Sequence, residues 1–311
     1  MHSDDPVLAL ENVSKNFNSV RAVCGLNWKL RKGGIYGLLG QNGAGKTTTL
    51  RMILAILLPD EGNIRIWGEP LKSAHQRLFG YLPEERGLYR KMRIRDLLMF
   101  FGKIRGLSSR EAKSKTAHWL ERLELSGKAD NKAEELSRGM QQKIQFIISI
   151  MHDPSILILD EPFQGLDPVN ADIFKDIILE EKRNGTTVIL STHIMEHAEK
   201  ICDSICLIQG GAKILEGSLA EIRKTWGKNT VKFFYEGNGG YFHTLPEVVS
   251  YNDSGGSIEI ELKPDADPTA VLAKAVQQIR VTGFEIKAPS LHEIFVRCVS
   301  VQPAGHDAPE Q

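Results

Sequence analysis

Between Ile35 and Leu54 an apolar pentad, a glycine-rich loop and a helical stretch follow one another directly, and few folds accept that order. Ile35-Tyr36-Gly37-Leu38-Leu39 reads as a buried strand. Gly40-Gln41-Asn42-Gly43-Ala44-Gly45-Lys46-Thr47 then fits the P-loop pattern of a glycine, four residues and Gly-Lys-Thr, with Thr48 opening the helix behind it. A strand that hands over to a helix through so short a loop predicts a βα unit. Glycines at 40, 43 and 45 let the backbone curl its N–H groups around an anion, and the helix N-terminus presents positive charge to the same place.

Two further stretches repeat the strand-then-helix texture. Ser155-Ile156-Leu157-Ile158-Leu159 is continuously apolar and ends in Asp160-Glu161-Pro162, which predicts a central parallel strand covered on both faces. A helix over about 169–184 and a second buried strand, Thr186 to Ser191, follow, with His193 just beyond. The alternation argues for parallel βαβ units, and so for an α/β class. Carboxylates at a strand's carboxyl end sit where open α/β sheets bind ligands.

Around this core, Val7–Val13 and Val20–Leu30 read as strands of an N-terminal antiparallel β subdomain, joined through residues 15–19 that include Phe17. From about 94 to 151 the apolar spacing is helical, so an α-helical insert separates the strand-rich halves. Beyond Trp226 the texture changes. Alternating strands, a helix over 268–279 and a closing helix over 291–299 predict a small α+β domain at about 229–300, after a first domain at 5–226. The tail 302–311 reads as disordered.

The longest apolar run, Met52 to Leu58, is far short of the roughly twenty residues a bilayer span needs. Met1–Pro6 carries acid and proline where a signal peptide carries a basic and then an apolar stretch. Four cysteines without paired spacing suit a reducing compartment. The expected location is cytoplasmic. With 39 basic and 39 acidic residues there is no general attraction to nucleic acid or anionic lipid, and no nucleic-acid partner is expected.

A P-loop alone would suit many NTPases, but five more elements follow in a fixed order. They are Glu84 after Tyr81-Leu82-Pro83, Leu136-Ser137-Arg138-Gly139-Met140-Gln141-Gln142-Lys143, the strand ending in Asp160-Glu161, Gly165-Leu166-Asp167, and Ser191-Thr192-His193. In this order, over about residues 5–225, they resemble the ATP-binding cassette family of P-loop NTPases: P-loop, Q-loop, signature, Walker B strand, D-loop and H-loop. The resemblance implies an ATP hydrolase using ATP and Mg²⁺. Phe17 would stack on adenine, Gly40 to Thr48 would hold the phosphates, and Thr47, Glu84 and Asp160 would hold Mg²⁺. Glu161 would act on the attacking water, with His193 keeping it in line. Ser137 and Gly139 would close over an ATP bound by a second cassette, so the resemblance implies a homodimer or a related second subunit.

Several residues depart from the common pattern: Glu84 for glutamine, Arg138 for glycine, Met140 for glutamine and Gln164 for serine. The block Leu82–Tyr89 and the Ser-basic-Gly-x-Gln-Gln signature resemble the branch of NatA-type sodium-efflux cassettes, and Ser290-Leu291-His292-Glu293-Ile294-Phe295 resembles the final helix of exporter cassettes in that branch. The resemblance therefore implies a subunit that drives a separate integral membrane permease of the ABC-2 exporter kind and sits peripherally on the cytoplasmic face of the membrane. The basic run Arg86, Arg90, Lys91, Arg93 and Arg95, with the helical insert, is expected to form a groove for a cytoplasmic helix of that permease. The alternative, a soluble cassette acting on nucleic acid or in translation, lacks the coiled-coil arms or second cassette that mark such proteins. His193-Ile194-Met195-Glu196-His197 also matches an inverted zincin pattern, which requires one helix to run through both histidines.

Overall fold

The computed structural model describes residues 5–85, 87–226, 229–287 and 289–301, so the expected tail at 302–311 and Arg86 of the basic run lie outside the described residues. In chain order the first unit contains β1 (Leu8–Phe17), β2 (Val20–Leu30), β3 (Ile35–Leu39), α1 (Lys46–Ile53), β4 (Glu61–Ile66), β5 (Glu69–Pro70), β6 (Phe79–Leu82), α2 (Ile94–Ile104), α3 (Ser109–Arg122) and α4 (Arg138–Ile150). It continues through β7 (Ile156–Asp160), α5 (Pro168–Arg183), β8 (Thr187–Thr192), α6 (Met195–Ile201), β9 (Ser204–Gln209) and β10 (Ala212–Ser218). The second unit holds α7 (Leu219–Trp226), β11 (Asn229–Glu236), β12 (Val248–Asp253), β13 (Ser257–Leu262), α8 (Pro268–Ala275), β14 (Arg280–Lys287) and α9 (Leu291–Val301). The chain divides after Gly217, nine residues before the boundary at 226 read from the sequence. The capping box between Ser218 and Glu221 opens α7 directly after this division.

Two sheets build the first unit. One is antiparallel in the order β2-β1-β4-β5, and the other is six-stranded in the order β10-β9-β3-β8-β7-β6. β3, β6, β7, β8 and β9 pair in parallel, so their carboxyl ends share one edge. All five residues of β7 are buried, as its unbroken apolar run requires of a strand flanked on both sides. One apolar core, including Leu8, Trp28, Leu50, Ile53, Ile64 and Ile158, joins the antiparallel sheet, α1 and the parallel sheet. That continuity holds the glycine loop between two sheets and an anchored helix.

The helical stretch at 94–151 resolves into three helices because local signals interrupt it. Gly106 takes φ +95° after α2, and Ser108 with Glu111 forms a reciprocal capping box that starts α3. Ser137 caps α4 by accepting from the Met140 N–H at 3.3 Å. Phe146 of α4 stacks on Phe174 of α5 with centroids 4.1 Å apart, both rings fully buried. In the second unit a four-stranded antiparallel sheet, ordered β12-β13-β11-β14, buries Val231, Phe233, Ile258 and Ile260 on one face.

Candidate active site

The parallel arrangement brings the ends of β3, β7 and β8 together, with Leu39 opposite Thr192 and Asp160 opposite Ser191. Three sequence-distant segments thus meet: the glycine loop, Asp160-Glu161 and the turn at His193.

The loop is held by its own lysine. Lys46 Nζ donates to the Gly40 and Gln41 carbonyls at 2.8 and 3.1 Å, and the Ala44 N–H returns to the Gln41 carbonyl. Gly45 sits at φ +102°, and a Cβ there would lie 2.3 Å from the Ala22 carbonyl oxygen of β2. Only glycine fits that approach. α1 begins directly behind it with no side-chain cap and no acid in its first turn, so its free N–H groups and the positive end of its dipole are left to a ligand. The hollow in front measures about 490 Å³ and is lined by Asn42, Gly43, Gly45, Lys46, Thr47 and Thr48, with Val20 to Ala22, Glu84, Glu161 and Gly210. Phe17 is half-exposed at the end of β1, paired in register with Val20 of the wall.

Acids gather opposite the lysine. Burial lowers the Lys46 pKa, partly countered by Glu161, Asp160 and Glu84. Burial likewise raises Asp160, which the Ser191 and Thr47 hydroxyls oppose. Glu84 is raised by partial burial and by the neighbouring Asp160 and Glu161 charges. Asp160 Oδ1 accepts from the Ser191 hydroxyl, whereas Oδ2 is buried and closes no hydrogen bond among the described residues. An orphaned, buried carboxylate oxygen beside a threonine hydroxyl and a phosphate loop is what a hard divalent cation such as Mg²⁺ requires, so the donor set Thr47, Glu84 and Asp160 fits one.

Glu161 is the most closely held acid. Its Oε1 accepts from the His193 backbone N–H at 3.0 Å and lies 2.7 Å from His193 Nδ1, and its Oε2 accepts from the Thr192 hydroxyl at 3.1 Å. Lys46 Nζ stands 3.9 Å from Oε1. A carboxylate oxygen accepts, so the ring Nδ1–H of His193 is the donor in this contact. In the sequence Ser191 and Thr192 stand only as the residues before His193, with no role of their own. A hydroxyl at a strand end carries no signal by itself, although two in a row before His193 could have prompted the question.

Ser137 and Gly139 do not join this group. They lie at the N-terminus of α4, outside the wall of the phosphate hollow, and a Cβ at Gly139 would meet nothing within 4 Å. The zincin reading fails on geometry. His193 precedes α6, and His197 packs edge-on to Phe163 with centroids 4.9 Å apart.

Residues 23–164 match the ABC transporter family, and residues 217–299 match the family described as ATP-binding protein DrrA1-3-like, C-terminal domain. The chain is 38% identical over 293 residues to "Uncharacterized ABC transporter ATP-binding protein YhaQ" of Bacillus subtilis, covering 94% of this chain and 98% of that protein. The chain belongs to the ABC transporter family of ATP-binding proteins. To the Nod factor export ATP-binding protein I of Burkholderia orbicola this ABC protein is 40% identical over 291 residues, covering 92% of it and 94% of the relative. A solved ATP-binding subunit of an ABC transporter superimposes with a TM-score of 0.67 at 30% identity, over 71% of this chain and 93% of that one. This ABC protein is therefore an ATP-binding, ATP-hydrolysing subunit with a P-loop NTPase cassette and a DrrA-like C-terminal extension. No helix among its described residues is long and apolar enough to cross a membrane.

Proposed function

We propose that this subunit powers a separate membrane permease of the ABC-2 exporter kind by hydrolysing ATP between two cassettes, with Glu161 as the general base. The observation that carries the reading is the division of the motif residues. Lys46, Thr47, Glu84, Asp160, Glu161 and His193 converge at one sheet edge, while Ser137 and Gly139 stand apart on α4. A site missing its signature half in its own chain is completed by a second copy or a related subunit.

In this reading Phe17 stacks on the base, and Gly40 to Thr48 enclose the phosphates, with Lys46 leaving its loop carbonyls to reach the β- and γ-phosphates. Mg²⁺ held by Thr47, Asp160 and Glu84 supplies neutralisation of the phosphate charge. Glu161 accepts a proton from the attacking water. The water oxygen bonds to the γ-phosphorus as the bond to the bridging oxygen breaks, and ADP leaves with that electron pair. His193, anchored through Nδ1 and its backbone N–H to Glu161, keeps the water and Glu161 in line with the γ-phosphate. Glu161→Gln should keep ATP binding, lose phosphate release and accumulate an ATP-bound dimer on size exclusion. Phosphate release at the parent rate would remove Glu161 from the role of base.

The export reading is supported by the relatives named for export and by a surface suited to a partner helix. A groove of about 740 Å³ runs between α2 and α3, walled by Met99, Phe100, Ala117 and Leu120 and rimmed by charges of both signs, Arg95, Lys103 and Lys113 with Asp96 and Glu121. Tyr89 stacks on Phe101 and meets Phe100 edge-on beside it, with Tyr89 and Phe100 both exposed. An amphipathic cytoplasmic helix, apolar on one face and charged on the other, suits that surface. The subunit then works at the cytoplasmic face of the membrane through its permease.

A further inference from the structure

β7 and β8 end side by side, where two pairs of consecutive polar residues meet: Asp160 closing β7 with Glu161 just beyond it, and Ser191 and Thr192 closing β8. The hydroxyls are distributed one to each acid. Ser191 donates to Asp160 Oδ1, and Thr192 donates to Glu161 Oε2. Both hydroxyl residues are buried.

The Thr192 hydrogen has a fixed direction. Its oxygen accepts the Ile194 backbone N–H at 3.0 Å, which occupies a lone pair and leaves the hydroxyl hydrogen to the Glu161 carboxylate. Counting lone pairs then separates the two Glu161 oxygens. Oε1 faces two donors on His193, the backbone N–H and the ring Nδ1–H, so both its acceptor directions are used. Among the described residues Oε2 accepts only from Thr192, so one acceptor direction is left, and Glu161 lines the phosphate hollow.

We propose that Thr192 is a positioning residue for hydrolysis, holding the Glu161 carboxylate so that the remaining lone pair of Oε2 receives the proton of the attacking water. This rests on the reading of Glu161 as the base. Without the hydroxyl, the carboxylate can turn about its last torsion, which is broad for a glutamate, and the proton acceptor loses its aim. A threonine needed only to satisfy a buried polar group would affect stability and leave turnover of the folded protein unchanged.

The test compares Thr192→Val, Thr192→Ser and Glu161→Gln in the full chain, measuring kcat and KM for ATP, binding of a fluorescent ATP analogue, and thermal unfolding. Valine keeps the shape and removes the donor. It should lower kcat by about 10- to 100-fold, with KM and analogue affinity changed by no more than about twofold, because the lost hydrogen bond is to a charged group that acts in the chemical step. Serine should restore kcat to within about threefold of the parent, since it keeps the donor. Should valine prevent folding, Thr192→Cys gives the same readout, its thiol being a weak donor. A valine or cysteine variant with parental kcat overturns the proposal, as does a serine variant that loses as much as valine, or a loss carried by KM. If Glu161→Gln is inactive while Thr192→Val turns over normally, only the Thr192 role falls. If Glu161→Gln turns over at the parent rate, the base assignment falls with it.

Discussion

His152, in the turn between α4 and β7, should make the folded protein acid-sensitive by a calculable amount. Its Nε2 lies 3.1 Å from the Phe79 carbonyl of β6, while Nδ1 is buried with no hydrogen-bond partner among the described residues. A carbonyl only accepts, so Nε2 carries the proton and Nδ1 is bare. Adding a proton to Nδ1 would place a charge on a buried atom beside Arg105. Burial first and the Arg105 charge second pull the pKa from 6.5 down to about 4. The unfolded chain thus binds a proton that the folded one resists, and stability falls as pH drops from the unfolded value toward the folded one. At about pH 5 the shift amounts to about 2 kcal/mol lost relative to about pH 7.5, and the loss levels off below about pH 4. Glutamine at 152 keeps a donor for Phe79 and does not titrate. Urea unfolding followed by tryptophan fluorescence should therefore show the parent losing about 2 kcal/mol more than His152→Gln between those two pH values. Equal losses in the two proteins would refute the assignment of a neutral, half-buried His152.

Two predictions concern the nucleotide. Gly45→Ala should abolish binding of a fluorescent ATP analogue, since the new Cβ would lie 2.3 Å from the Ala22 carbonyl at a φ of +102° that alanine rarely adopts; binding within about twofold of the parent would contradict the close approach. Phe17→Ala should raise the KM for ATP by about 3- to 10-fold while leaving kcat nearly unchanged, because stacking on the base contributes equally before and during the reaction; a fall in kcat at constant KM would contradict the adenine-stacking role.

The chemistry was most legible where it depends on neighbours in sequence. Gly40 to Thr47 needs only adjacent residues to form a phosphate loop, and Ile156 to Asp160 announces a covered strand by composition alone. Asp160 and Glu161 were readable because a strand's end fixes where its last side chains stand. Less was legible where the signal is weak or non-local. β1 continues through Phe17, beyond the Val13 end read from the sequence, because its pairing with β2 runs to Phe17 and Val20. β6, β10 and β12 carry a weak local strand signal, β6 having four residues and β10 and β12 only half-buried or exposed positions, so that hydrogen-bonded neighbours supply what the local pattern lacks. The Ser108 and Glu111 box was present in the sequence as a helix start and was not used.

The sequence by itself determined that a P-loop joins a buried strand to a helix, that two carboxylates end a second buried strand, and that the ordered motifs are those of an ABC subunit. Each of these is written in contiguous residues whose spacing already implies the local geometry. Only the tertiary structure decided how the carboxylates are divided and held. The parallel register of β7 against β8 sets Asp160 opposite Ser191 and brings Thr192 and His193 onto Glu161, over a separation of about thirty residues that no local pattern spans. That register leaves Asp160 Oδ2 without a hydrogen bond and Glu161 Oε2 with one donor among the described residues.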